Sequence, residues 1–193
     1  RPLGERELAR DWGLPSSEQA ESQEICFVAG DYLDLLRLRR PELLRPGPIV
    51  DQNGREVGRH EGVAGFTIGQ RRGLKVAAGE PRYVTRIDAA MATVHLGPDE
   101  LLWQPGLLAE EMNWHIDPPA AGRTLRASVK IRYRHQPAAA LVRVLDEGQR
   151  AEIRFDEPQR AITPGQGAVM YDGERLLGGG WIVKPLTAAE LGR

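Results

Sequence analysis

Residues 125–134 alternate strictly between apolar and polar side chains, and this segment constrains the fold more than any other feature of the chain. Successive side chains of a β-strand point to opposite faces, so the alternation predicts a strand with one buried and one exposed face. The buried face is expected to hold Leu125, Ala127, Val129, Ile131 and Tyr133, and the exposed face Arg126, Lys130, Arg132 and Arg134.

Several further short strands are predicted on both sides of this segment. Those that follow it lie at residues 140–145, 151–155, 169–171, 174–177 and 181–183, and Asp172-Gly173 is a hairpin turn between two of them. Short strands at this spacing favour a small closed barrel or a sandwich, which we place at residues 105–186. Gly178, Gly179 and Gly180 are expected to mark close backbone packing or a bulge.

The preceding residues, 44–104, predict a smaller β-rich α+β domain. Asn53-Gly54 is a strong two-residue turn between Ile49-Val50 and Glu56-Val57, and residues 83–85 and 93–96 are further strands. Pro46-Gly47-Pro48 is expected to be a connector.

The first 43 residues predict helices rather than strands. One helix is expected over residues 5–12 and a second over 32–40, with Leu33, Leu35 and Leu36 facing inward and Pro41 ending the helix. The predicted fold class is therefore mainly β, with a short helical N-terminal segment, a small α+β central domain and a C-terminal closed β-barrel.

Composition limits where such a chain acts. No run of 18 apolar residues occurs, which argues against a membrane span, and the formal net charge of −1 argues against wholesale binding of polyanions. A single cysteine in 193 residues excludes an internal disulfide framework and indicates a reducing compartment, most simply the cytoplasm. The chain opens at Arg1 rather than at Met, so we expect a fragment of a longer protein.

Cys26 is that single cysteine, and it is the one soft nucleophile of the chain. From the residues alone it is either a small buried filler or a reactive thiol. His60, His95, His115 and His135 are scattered singly, so we expect packing or surface roles for them and no metal site.

The basic face of residues 125–134 is the best nucleic-acid candidate in the sequence. A solvated strand face is often charged, which is the competing explanation. Like charges stacked along one face repel one another unless a polyanion lies there, and guanidinium groups with aromatic rings suit unpaired RNA bases.

Six motifs in a fixed order identify the chain as similar to a known family. They are residues 21–27 (ESQEICF), 58–62 (GRHEG), 66–74 (FTIGQRRGL), 131–134 (IRYR), 163–166 (TPGQ) and 177–180 (LGGG). This order resembles the C-terminal half of the bacterial tRNA-specific 2-thiouridylases over about residues 1–185. Where that family often has Lys-x-Asp before the first motif, this chain has Gln19-Ala20-Glu21 and so lacks the lysine.

The resemblance implies a set of functional residues. Cys26 corresponds to the family's persulfide cysteine, and Arg132, Tyr133 and Gln166 correspond to residues used against tRNA. Gln70, Arg71, Arg72, Lys130 and Arg134 are further candidates for contact with RNA or with a sulfur donor.

The resemblance also implies a reaction and its partners. The full-length enzyme would use ATP and Mg²⁺ to adenylate O2 of the wobble uridine of tRNA, and the Cys26 persulfide would then supply sulfur. A cysteine outside this chain would resolve the persulfide, and a cysteine desulfurase or relay protein would load it. Residues 1–43 would be the tail of the catalytic domain, residues 105–186 a tRNA-binding barrel like domain 2 of elongation factors, and the fragment alone inactive without the ATP site.

Two other functions remain open from the residues. The chain is alternatively a non-catalytic RNA-binding module in which Cys26 is inert, or a docking platform for a sulfur-carrier protein.

Overall fold

The computed structural model describes residues 5–13, 32–74, 76, 80–133 and 135–191. The chain divides into two compact units, residues 1–41 and 42–193. The first unit contains helices α1 (Glu5–Asp11) and α2 (Tyr32–Arg39), close to both predicted helices. The inward orientation predicted for Leu35 is wrong, because its side chain is 39% exposed. None of the helices in the described residues has the length and apolar content needed to span a membrane.

The second unit opens with a four-stranded mixed sheet, which we call the central sheet. Its strands are β1 (Gly47–Val50), β2 (Glu56–His60), β3 (Tyr83–Asp88) and β4 (Thr93–Gly97), in the order β2-β1-β4-β3. β1 runs parallel to β4, and the other pairs are antiparallel. The sheet buries Ile49, Val63, Leu74, Val84, Val94 and Leu96.

The predicted hairpin joins β1 to β2, but the two-residue turn expected at Asn53-Gly54 is wrong, because the loop spans the five residues 51–55. Gly54 has a φ of +79°, which a glycine adopts at little cost, and the Asp51 carboxylate accepts hydrogen bonds from the backbone N–H groups of Asn53 and Arg55. The turn chemistry visible in the sequence therefore sets the pairing of these two strands.

The prediction of a connector at residues 46–48 is wrong, since β1 begins at Gly47. Gly47 is required by packing, because a Cβ there would lie 1.7 Å from the carbonyl oxygen of Ala92. Pro48 is tolerated because β1 pairs with β4 only from Ile49 onward, so Pro48 has a single neighbouring strand, at Arg59.

The rest of the second unit is a closed, fully antiparallel barrel of six strands. They are β5 (Trp103–Trp114), β6 (Thr124–Lys130), β7 (Ala138–Leu145), β8 (Arg150–Arg160), β9 (Gly167–Asp172) and β10 (Arg175–Leu186), in the closed order β10-β5-β8-β7-β6-β9. A short helix, α3 (Ala188–Leu191), follows. The predicted mainly β fold with a closed barrel is confirmed.

The alternation in residues 125–134 holds through the buried Ile131, one residue beyond the end of β6. Ala127 and Val129 point into the barrel core, but the strand ends at Lys130. Tyr133 is consequently 86% exposed, and its predicted place on the buried face is wrong.

The glycine run in β10 shows the close packing expected of it. A Cβ on Gly178 would lie 2.6 Å from the carbonyl oxygen of Asn113, and one on Gly179 would lie 2.8 Å from that of Ala168. The register with the flanking strands also shifts on both sides of Gly178 and Gly179. The run therefore serves barrel closure between β5 and β9.

Candidate nucleic-acid interface

The end of β6 presents a cation and an aromatic ring to solvent. Ile131 is buried and anchors the chain, whereas Arg132 and Tyr133 are exposed beyond it. The Lys130 Nζ atom lies 5.8 Å from the centroid of the Tyr133 ring, and the His135 N–H donates to the Arg132 carbonyl at 3.1 Å. We name residues 130–133 the tyrosine turn.

The end of the strand explains how Arg132 and Tyr133, which are adjacent in sequence, can contact the same partner. In a regular strand Arg132 and Tyr133 would point to opposite faces. Because the family resemblance implies that both residues contact tRNA, it predicts that the strand stops or distorts near Tyr133, and the end of β6 at Lys130 confirms this.

Arg132 is held by the end of a second strand. Its Nη1 donates to the carbonyl oxygen of Arg160 at 2.9 Å, and Arg160 is the last residue of β8. The contact fixes the tyrosine turn against the β8 terminus.

Arg160 in turn joins the barrel to the central sheet. Its Nε and Nη2 atoms donate to the Asp99 Oδ1 atom at 3.0 and 2.8 Å, and its guanidinium lies 5.2 Å from the centroid of the Tyr83 ring in β3. The Trp103 indole N–H donates to the other carboxylate oxygen of Asp99 at 3.0 Å. These bonds, first from Arg160 and then from Trp103, hold the pKa of Asp99 below its usual value. We name this group the Arg160 junction.

The turn between β8 and β9 carries Gln166. Ala161 adopts a φ of +56° and donates its N–H to the Leu102 carbonyl at 2.9 Å. Gly165 and Gln166 exchange backbone hydrogen bonds with Ile182 at 2.8 Å each. The backbone is therefore fixed, while the Gln166 side chain is exposed.

Sheet register places the tyrosine turn and Gln166 at the same end of the barrel. β6 and β9 are antiparallel neighbours, and Lys130 at the end of β6 pairs with Val169 near the start of β9. Residues 131–133 and Gln166 therefore continue from the same edge of this strand pair.

Gln70, a predicted contact for RNA or a sulfur donor, has its side chain engaged within its own loop. Its amide oxygen accepts from the Thr67 N–H at 3.0 Å, and its amide nitrogen donates to the Arg72 carbonyl at 2.9 Å. The amide closes the loop formed by residues 67–72.

This loop packs on the barrel next to the Arg160 junction. The Gly69 N–H donates to the Val84 carbonyl at 2.8 Å, and a Cβ on Gly69 would lie 3.1 Å from the Cβ of Ala161. Arg71 and Arg72 are exposed, and their side chains form no ion pair with described residues. The loop therefore presents two cations beside the barrel.

The basic face predicted for β6 is smaller than the sequence suggests. Arg126 forms a two-pronged ion pair with Asp156 of β8, including an Nη1–Oδ1 hydrogen bond of 2.8 Å. This bond lowers the pKa of Asp156. The repulsion between like charges that was expected along this face is consequently absent at Arg126, because the carboxylate of Asp156, distant in sequence, neutralises its charge.

The histidines are packing or surface residues where their contacts are defined. His60 is buried, its Nε2 lies 3.0 Å from the Ala92 carbonyl oxygen, and its Nδ1 accepts from the Gly62 N–H at 3.0 Å. His135 Nε2 lies 2.9 Å from the amide oxygen of Gln159. The described residues contain no cluster of three His, Cys, Asp or Glu side chains suited to a metal ion.

Two predicted site residues, Cys26 and Arg134, lie outside the described residues. The described residues also do not fit ATP with Mg²⁺, because they offer neither a carboxylate cluster for the metal nor a glycine-rich loop leading into a helix.

Sequence reasoning missed Asp99 and Arg160, which join the two halves of the unit. They lie 61 positions apart, outside every motif recognised in the sequence. Charge pairs at that separation leave no local pattern.

Two family models match the parts of this unit. Residues 35–98 match the tRNA methyl transferase PRC-barrel domain, and residues 104–182 match the aminomethyltransferase β-barrel domain. The chain therefore contains the central domain and the barrel domain of a tRNA-modifying protein.

Similar full-length proteins define the family more closely. The chain is 47% identical over 191 residues to tRNA-specific 2-thiouridylase MnmA of Chloroflexus aggregans, covering 95% of this chain and 53% of the relative. The proteins of the same name from Magnetococcus marinus (46% over 189 residues; 94% and 52% covered) and Geobacter metallireducens (47% over 183 residues; 94% and 49% covered) are equally similar. The chain belongs to the tRNA-specific 2-thiouridylase family and spans about half the length of the curated relatives it matches.

The buried imidazole of His60 makes a pH dependence testable. Burial is the main cause that lowers the pKa of His60 below 6.5, with Arg59 adding to it and the Ala92 hydrogen bond opposing it. Protonation therefore favours the unfolded chain, so the stability from neutral His60 is complete above about pH 6.5 and decreases as the pH falls.

We expect the free energy of unfolding, measured by urea titration between about pH 7.5 and 5.5, to fall less steeply in His60→Gln than in the native chain, by at most about 1.4 kcal/mol per pH unit. His115→Gln, at an exposed position, is the control and should keep the native slope. An unchanged slope in His60→Gln would contradict the neutral, buried state of this imidazole.

Proposed function

We propose that this chain is the RNA-holding and persulfide-bearing part of an enzyme that 2-thiolates the wobble uridine of tRNA. The observation that carries the proposal is the tyrosine turn, with an exposed ring, two cations and the exposed Gln166 at one end of the barrel. Membership of the 2-thiouridylase family supports the substrate and the reaction.

The tyrosine turn suits single-stranded RNA. An exposed aromatic ring stacks on an unpaired base, and adjacent cations neutralise phosphates, which are the two main contributions to such binding. Lys130 lies over the same ring, and Arg132 keeps a fixed position through Arg160. The Arg71 and Arg72 side chains extend the positive surface beyond the barrel.

The sulfur chemistry is assigned to Cys26. A cysteine desulfurase or a relay protein transfers a sulfane sulfur to the Cys26 thiolate, giving a persulfide. The terminal sulfur then attacks C2 of the uridine as O2 leaves, and a second thiolate breaks the S–S bond, so a disulfide forms and an external thiol must reduce it. Cys26 is the single cysteine here, so the second thiol belongs to sequence outside this chain.

ATP is expected to supply the activation of O2 in the full-length enzyme. The described residues contribute to the other requirement, which is to hold the tRNA. The cytoplasm, where tRNA is modified, is the proposed location.

The role of the tyrosine turn is tested by Tyr133→Ala. Loss of one base–aromatic stack costs about 1–3 kcal/mol, so the affinity of this chain for a tRNA transcript should fall about 5- to 150-fold, measured by fluorescence anisotropy.

Tyr133→Phe keeps the ring and should bind like the native chain. Arg126→Ala removes a cation already paired with Asp156, so its effect should be small. If Tyr133→Ala binds as tightly as Tyr133→Phe, the tyrosine turn is not the RNA site.

Sulfur loading is tested separately from RNA binding. Incubation with a cysteine desulfurase and cysteine should add the mass of one sulfur atom to the native chain, and a thiol reductant should remove it. Cys26→Ser is the control and should gain nothing.

The decisive comparison uses protein that binds tRNA. If such protein never acquires sulfur at Cys26, the persulfide role is wrong, and the chain is an RNA-binding module.

A further inference from the structure

A cleft of about 420 Å³ lies between the central sheet and the barrel. Phe66, Ile68 and Ile87 contribute apolar surface from the central sheet and its loop, and Ile162, Pro164 and Pro185 contribute it from the barrel. The two apolar walls suit a flat, largely apolar group inserted between them.

The polar groups that line the cleft can form hydrogen bonds with the edge of a nucleobase. The Gln166 side chain lines the cleft, is exposed and forms no hydrogen bond with described residues, although its backbone is fixed by Ile182. Its amide therefore has donors and an acceptor to offer. The Thr163 hydroxyl donates to the Ala161 carbonyl at 3.0 Å, which leaves its lone pairs for a ligand donor.

Arg86 lines the cleft and also, together with His95, another recess that shares Thr85, and no ion pair among the described residues neutralises its charge. The Arg86 side chain is exposed, and its Nη2 lies 2.7 Å from the Nε2 atom of His95. Burial and Arg86 lower the pKa of His95, so this contact is to a neutral imidazole. Arg86 forms no ion pair among the described residues, and the nearby Asp88 carboxylate accepts from the Met91 N–H at 2.9 Å. An anionic group is therefore favoured at this wall.

The β8–β9 turn links the cleft to the residue that holds the tyrosine turn. Arg160 holds Arg132 through its carbonyl, and Ile162, two residues later, lines the cleft. An RNA strand on the tyrosine turn thus has a second recess along the same segment.

We propose that this cleft is a nucleotide subsite that takes one unpaired base of the bound tRNA, with Gln166 reading the base edge and Arg86 facing its phosphate. The inference rests on the proposed function. A nucleotide is favoured over a peptide because it combines a flat ring, a hydrogen-bonding edge and a negative charge in one unit.

The subsite is tested directly with small probes. Titration of the isotope-labelled chain with uridine or adenosine 5′-monophosphate should shift the amide resonances of Ile68, Arg86 and Gln166. Ribose 5-phosphate and inorganic phosphate should leave the amide resonances of Ile68 and Gln166 unchanged. Shifts of these two resonances that phosphate alone reproduces, or no shifts with any probe, would overturn the proposal.

Two variants relate the cleft to tRNA binding. Thr67→Trp fills the cleft from its exposed rim and spares the backbone bond to Gln70, so tRNA affinity should fall about tenfold, as for one lost base contact. Thr124→Trp, at an exposed threonine that starts β6, should have no effect. Arg86→Gln should lower the salt slope of binding by about one, even if Thr67→Trp proves unstable.

The outcomes separate the two proposals. If Thr67→Trp and Arg86→Gln bind tRNA normally while Tyr133→Ala does not, the subsite is wrong and the proposed function stands. If the native chain does not bind tRNA, the proposed function fails, and the nucleotide titration still tests the cleft. If Thr67→Trp loses sulfur loading but keeps tRNA affinity, the cleft takes a donor protein, which overturns the nucleotide assignment.

Discussion

The ion pair between Arg160 and Asp99 is the contact on which the arrangement of the site depends. Asp99 belongs to the 3-10 turn that leads from the central sheet into the barrel, and Arg160 ends β8. Two guanidinium nitrogens of Arg160 donate to one carboxylate oxygen of Asp99, and the guanidinium also lies over the Tyr83 ring, so one side chain contacts both sides of the junction.

The consequences of this junction extend to each candidate contact. The carbonyl of Arg160 holds Arg132, the next residue packs on the loop that carries Arg71 and Arg72, and the turn that follows presents Gln166. Because all of these contact or follow the end of β8, the proposed RNA-binding surface is positioned by backbone geometry. The cleft between the sheet and the barrel is part of the same arrangement.

The sequence predicted the parts of the fold that leave local patterns. The hairpins near Gly54 and Gly173 and most barrel strands follow from turn residues and alternation, whereas the break near Tyr133 followed from the family resemblance. Contacts between distant residues left no such pattern. Alternation could not show that Asp156 neutralises Arg126, or that Gly47 lies against Ala92 inside a strand. The family resemblance identified Tyr133 and Gln166. The Arg160 junction, which holds the segments that carry these two residues, could be seen only in the structure.

The tRNA affinity of Asp99→Asn, compared with Asp156→Asn, tests the central claim most directly. Both variants remove one negative charge and one arginine partner, so they change the electrostatics of RNA binding alike. If the Arg160 junction positions the site, Asp99→Asn should bind tRNA several-fold more weakly than Asp156→Asn. Equal or tighter binding by Asp99→Asn would contradict the account.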